Sequence, residues 1–213
     1  MQTTALDRSS PVEHAPSGAD VWNAIVQAAI RSYRTRAFHE VTLEVVAAAS
    51  GLGIDAVLER FATQDDLVVA AVQVWNGDRT AVAVPVAERH GAVPFLRVLV
   101  QADVEDPSLI RLLTAVINIA ATPGHPMAHV LQRQWCQFFV LVERSLARDM
   151  ALGREPDSIE PSRAAEQLVA VYEGLQLQML TRPRMDPLDA FDHAVARLRT
   201  GWSAEPAYPV WDL

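Results

Sequence analysis

Apolar residues recur along this chain at three- and four-residue steps, the period of helices buried on one face, and no stretch alternates as a strand would. The first run opens at Asp20. Val21, Trp22, Ile25, Ala28, Ala29 and Tyr33 share a face, Asp20 is placed to cap, and Arg31, Arg34 and Arg36 fall where a helix C-terminus favours cations. This predicts a helix over 20–37. Thr42 then caps a short run of Leu43, Val45, Val46 and Ala47, which halts at Ser50-Gly51 because glycine accepts the left-handed conformation that closes helices. A second short helix is predicted over 54–60, with Val57, Leu58 and Phe61 apolar. Thr63 opens a longer one over 64–80, with Asp65 and Asp66 in its first turn and Leu67, Val68, Ala71, Val72 and Trp75 behind them.

From Pro85 onward the punctuation is mostly proline, which is tolerated in a helix's first turn and not in its interior. Helices are predicted over 93–104, 107–121, 126–151, 161–181 and 187–200, so the fold class is all-α. The tail, with Trp202, Tyr208 and Trp211, is read as aromatic and irregular.

Composition sharpens the picture. Half of the 213 residues are apolar, enough for a sizeable core, yet runs such as Leu67–Trp75 stop well short of the roughly 18 to 20 residues needed to cross a bilayer. No membrane partner is expected. The first twenty residues carry Asp7, Arg8, Glu13 and Asp20 without an apolar run, unlike a secretory signal, so a cytoplasmic location is expected. The single cysteine, Cys136, excludes an intrachain disulfide and is read as a small buried residue. All 18 basic residues are arginine, and the net charge is −8. That balance is unusual for a chain that neutralises phosphates, although the local patch is what matters.

Two short helices joined by a tight glycine turn and flanked by longer ones make a helix-turn-helix pattern. Over Val21–Trp75 the order of Ile25, Ala28, Ala29, Tyr33, Phe38, Thr42, Val46, Ala47, Ser50-Gly51-Leu52, Val57, Phe61, Thr63, Asp65 and Leu67 resembles the N-terminal domain of the tetracycline-repressor (TetR) family. Ala164-Ala165-Glu166-Gln167-Leu168 and Tyr172-Glu173-Gly174-Leu175-Gln176 look like the family's eighth helix. The resemblance implies a disordered arm over 1–19, a DNA-binding helix-turn-helix domain over 20–64, a ligand-binding and dimerisation domain over 65–200 and a tail over 201–213. It also implies a palindromic double-stranded operator, a small-molecule effector and a homodimer as partners. In the family the last two long helices form the dimer interface, so the resemblance implies that the apolar stripes on 161–181 (Leu168, Val171, Tyr172, Leu175 and Met179) and on 187–200 (Phe191, Val195 and Leu198) form a dimer face, with intradomain core as the alternative.

The recognition helix departs from the family's pattern. It offers Gly53, Ile54, Asp55, Ala56, Leu58 and Glu59, and carboxylates accept only from cytosine amino groups while repelling the backbone. Gln64 stands where the family places a phosphate-reaching lysine, and Asp20–Trp75 holds four arginines against seven acids. Three readings stay open. The chain binds an operator, with Arg31, Arg34, Arg36, Thr42 and Arg60 on phosphates; it keeps the fold as a ligand-binding dimer without DNA binding; or it is an unrelated helical bundle.

No catalytic constellation stands out, and no cofactor or metal is expected. The one helically spaced histidine pair is His125 and His129, and Pro126 between them points to a capping or solvated role. The aromatic and apolar inventory of Trp75, Phe95, Leu99, Leu113, Ile117, Trp135, Phe138, Phe139, Tyr172 and Met179, with Asn118, Gln134 and Gln176 as orienting groups, suits either plain core or a pocket for a mainly apolar ligand.

Overall fold

The computed structural model describes residues 17–203, and among these there are helices and no strand. Helix α1 (Gly18–Thr35) starts before the expected position because Ser17, not Asp20, is its cap. Ser17 Oγ accepts the Asp20 N–H at 3.2 Å, and the Asp20 carboxylate accepts the Ser17 N–H at 3.0 Å, a reciprocal box. Of the expected arm, Ser17, Gly18 and Ala19 thus belong to α1 and its cap, and the remainder lies outside the described residues. A single 3-10 turn at Phe38–Glu40, which periodicity does not reveal, leads into α2 (Leu43–Ser50). Gly51 follows at φ +74°, and α3 (Ile54–Leu58) is shorter than predicted because the chain turns to bury Phe61.

Helix α4 (Gln64–His90) runs straight through Pro85, well past the expected end at 80. Proline removes its own N–H, but Ala83 and Ala87 on either side are buried against α5 (Ala92–Glu105), and that packing carries the helix on. Helices α6 (Ser108–Ala121), α7 (Ala128–Ala151), α8 (Pro161–Thr181) and α9 (Pro187–Trp202) lie close to their predicted spans. The start of the expected tail is helical: Gly201 and Trp202 close α9, and Trp202 Nε1 donates to Gln167 at 2.7 Å. Tyr208 and Trp211 lie outside the described residues.

Two hydrophobic cores organise the molecule. The first joins α1, α2, α3 and the front half of α4 to the buried face of α6 and to Leu131 of α7; the second joins the rear of α4 to α5, α7, α8 and α9. Helix α4 therefore belongs to both, and α6 packs on the helix-turn-helix side, so no core boundary falls at residue 64. Leu168, Leu175, Phe191 and Val195 are all buried in the second core, with Leu198 packed against it. The stripes compatible with a dimer face are thus covered by the chain's own α5, α8 and α9. Cys136, read as buried, is exposed on α7. Among the described residues no helix is long and apolar enough to cross a membrane.

Candidate functional site

The outer surface of the helix-turn-helix carries few cations. Gly53, Asp55, Leu58, Glu59 and Arg60 are exposed, whereas Ile54 and Ala56 are half-buried and Ile54 packs on the first core. Arg31 is exposed on α1, and Thr42 caps α2 by accepting the Val45 N–H at 3.3 Å. Two residues expected to reach phosphates face elsewhere. The Gln64 amide donates to Tyr33 Oη at 3.0 Å and to the Val41 carbonyl, so both its hydrogens are held inside, and burial pushes the Tyr33 hydroxyl up to about 12. The Arg34 guanidinium lies over the Trp75 ring, 4.9 Å from its centroid, and donates to Asp106 at 3.1 Å. It ties α1 to the α5–α6 corner.

A cavity of ≈ 390 Å³ lies where the two cores meet. Asn76 and Arg79 line it from α4, Leu113, Thr114 and Ile117 from α6, and Gln134, Trp135 and Phe138 from α7. Helix α8 adds Ala170, Tyr172, Glu173, Gly174, Gln176 and Leu177. Leu113 and Trp135 pack on the first core and Phe138 and Tyr172 on the second, with the last two rings 5.6 Å apart. Six residues expected in a pocket lie off this cavity, and of these Phe95 is buried in the second core with Phe139 packed against it. Trp75 is buried in the first core beneath Arg34, and Leu99 is fully buried in the second. Asn118 is exposed near the end of α6, and Met179 lines a separate small crevice with Val100 and Leu175.

Charged groups that period reading missed stand at the cavity's edge. Arg79 pairs with the buried Asp103 of α5 and donates to Asn76 at 3.0 Å, while Gln176 donates to Asp103 at 3.0 Å. Burial raises the Asp103 carboxyl, against the pull of the Arg79 charge and the Gln176 amide. Beside them Arg79 Nε and Tyr172 Oη are enclosed with no hydrogen-bond partner among the described residues. Glu173 is half-buried and accepts the Trp135 indole N–H at 3.0 Å; burial raises its carboxyl as well. One sequence signal was available for Asp103, which falls on the buried stripe of Leu96 and Leu99.

The solved structures that superpose on this chain share one architecture. A TetR transcription regulator from Haloarcula marismortui matches with a TM-score of 0.71 at 18% identity, over 86% of this chain and 98% of that one. SmeT, the repressor of the Stenotrophomonas maltophilia multidrug efflux pump SmeDEF, gives 0.63 at 19% identity, over 83% and 89%. The multidrug binding protein EbrR, complexed with imidazole, gives 0.62 at 24%, over 91% and 98%. This chain has the TetR fold. At these identities the likeness is one of fold, and no family model and no curated protein matches the sequence.

Within the TetR fold the cavity and the helix-turn-helix are joined through two helices. Helix α6, which walls the cavity with Leu113, Thr114 and Ile117, also grips the end of α1: Ser108 Oγ and the Arg111 guanidinium donate to the Arg34 carbonyl at 3.3 and 3.2 Å. Its far end leads to His125, whose Nε2 meets Asp65 in the first turn of α4 at 3.0 Å while Nδ1 accepts the Met127 N–H. His125 thus ties the turn before α7 to the first turn of α4, and among the described residues no group of His, Cys, Asp and Glu is arranged to hold a metal ion. Helix α4 itself runs from the helix-turn-helix core to Asn76 and Arg79 in the cavity wall.

Proposed function

We propose that the chain is a TetR-type transcriptional regulator, acting as a repressor, whose binding to an operator is controlled by a small, mainly apolar molecule held in the cavity. One observation carries this reading: two of the four helices that wall the cavity, α4 and α6, also hold the helix-turn-helix through Asp65, Arg34 and Trp75. A ligand that prefers one spacing of α4 and α6 shifts the domain's orientation by no more than its differential affinity for the two arrangements. Two copies would present α3 to successive major-groove faces of a palindrome about one helical turn apart, roughly 34 Å. Arg31, Arg36 and Arg60, with the N-terminus of α2 at Thr42, supply the phosphate contacts in this reading, and Asp55 and Glu59 select for cytosine. The second copy would pack on the outward sides of α8 and α9, where Ala196 is exposed. The fold of SmeT, a repressor, and of EbrR, a multidrug binding protein, supports the reading.

Selection of bound duplexes from a random-sequence pool, at low and at physiological salt, tests it. The expected result is an enriched palindrome whose affinity falls with salt. A folded protein that enriches nothing at either salt overturns the regulator reading and leaves a ligand-binding dimer.

A further inference from the structure

The cavity has an uneven charge. Arg79 is committed to Asp103 and Asn76, so its positive charge is neutralised within the protein. Glu173 is not balanced: its carboxylate accepts one hydrogen bond from Trp135 and has no arginine or histidine within 4.0 Å among the described residues. Among the described residues it therefore stands as the unpaired charge of a cavity whose aromatic and aliphatic wall also carries the neutral polar groups of Asn76, Thr114, Gln134 and Gln176. A half-buried carboxylate without a counterion is unfavourable, and a ligand that brings a positive charge removes that penalty while an anion deepens it.

Taking the cavity as the effector site proposed above, we infer that the effector is a hydrophobic monocation: a compact aromatic or alicyclic body with one positively charged nitrogen set against Glu173. The Trp135 indole donates to one carboxylate oxygen and so holds the carboxylate in place, leaving acceptor capacity for the ligand. The rings of Trp135, Phe138 and Tyr172 offer faces to a cation and cover to an apolar body. A cavity of ≈ 390 Å³ sits at the small end of ligand sites, matching a body of one or two rings.

Three probes with a common phenylpropyl body separate charge from shape: the trimethylammonium, its neutral tert-butyl isostere, and the carboxylate. Calorimetry on the full chain should give the ammonium about tenfold tighter than the isostere, with the carboxylate weakest. Glu173→Gln keeps an acceptor for the indole and should abolish the preference while the isostere still binds, which also reports that the variant is folded. An ammonium no tighter than the isostere, or a preference that survives in E173Q, overturns the charge assignment and leaves the effector cavity standing. Binding of none of the three overturns both. Ammonium binding that leaves duplex affinity unchanged upholds the assignment and overturns the regulatory reading.

Discussion

The helix-turn-helix and the cavity region are both helical, yet they treat polar groups in opposite ways. In the first core Ile25, Val26, Ala28, Ala29, Val46, Val57, Leu67 and Val68 are wholly buried, and the polar groups at its rim are matched: Ser17 with Asp20, Thr63 with Asp66, Gln64 with Tyr33 and Val41. In the cavity region charge goes inside. Asp103 and Arg79 form a buried pair, and among the described residues Arg79 Nε and Tyr172 Oη lack partners and Glu173 lacks a counterion. Dense packing with satisfied groups makes one arrangement far better than its neighbours, whereas space lined by incompletely paired groups leaves alternatives close in energy. On the regulatory reading, the difference suits the head to rigidity and the cavity to response.

Replacing Arg79 should break that contrast most severely. Arg79→Met leaves Asp103 buried without its cation, and loss of one partner of such a pair costs about 3 kcal/mol, read as a lower midpoint in denaturant. Adding Asp103→Leu to the same chain removes the orphaned charge, and most of the stability should return. A double variant no more stable than the single one would mean that Arg79 contributes packing rather than charge.

Much of the first region was legible because its signals are local. The Thr42 and Thr63 caps, the Gly51 turn and the spacing of Ile25, Ala29 and Tyr33 each sit within a few residues of what they determine. The second region defeated local reading where the outcome depends on partners far along the chain. Pro85 marks no end because α5 packs beside it, and the stripe of Leu168 and Leu175 is core because Phe191 and Val195 meet it. Leu113, Ile117, Trp135, Phe138, Tyr172 and Gln176 were picked by residue type, and the structure gathers them around one space; Trp75 and Leu99, of the same type, went to the cores. Residue type alone does not tell a cavity wall from a core. Gln64 misled for another reason: at a position read as facing DNA, its side chain turns inward to two acceptors that sequence spacing does not bring to mind.

A smaller effect should sharpen the rigidity of the head. Gly51 has φ +74° with nothing within 4 Å of where a Cβ would stand, so Gly51→Ala introduces backbone strain and no clash. The left-handed conformation costs a residue with a side chain about 1 kcal/mol. Thermal unfolding should show that loss with the helix content unchanged. An unaltered midpoint would mean that the turn relaxes, and the head is then less rigid than its packing implies.

The smallest change in stability should carry the most information about how the two regions communicate. Arg34 and Asp106 are each roughly half exposed, and an ion pair so exposed is worth less than about 1 kcal/mol. Arg34→Met keeps apolar cover over Trp75 and leaves the Arg34 carbonyl to Ser108 and Arg111, so the fold should hold with its midpoint barely moved. On the regulatory reading the pair matters in another way, because it fixes the end of α1 to the corner from which α6 enters the cavity wall. Its loss should reduce the effector's influence on duplex affinity by about 1 kcal/mol, roughly fivefold, with effector and duplex affinities measured separately staying close to native. Unchanged coupling in a stable R34M protein would remove Arg34 from the path. The bonds from Ser108 and Arg111 to the Arg34 carbonyl, the packing of α6 on the first core, the contact of His125 with Asp65 and the continuous helix α4 would then carry the coupling between the cavity and the head.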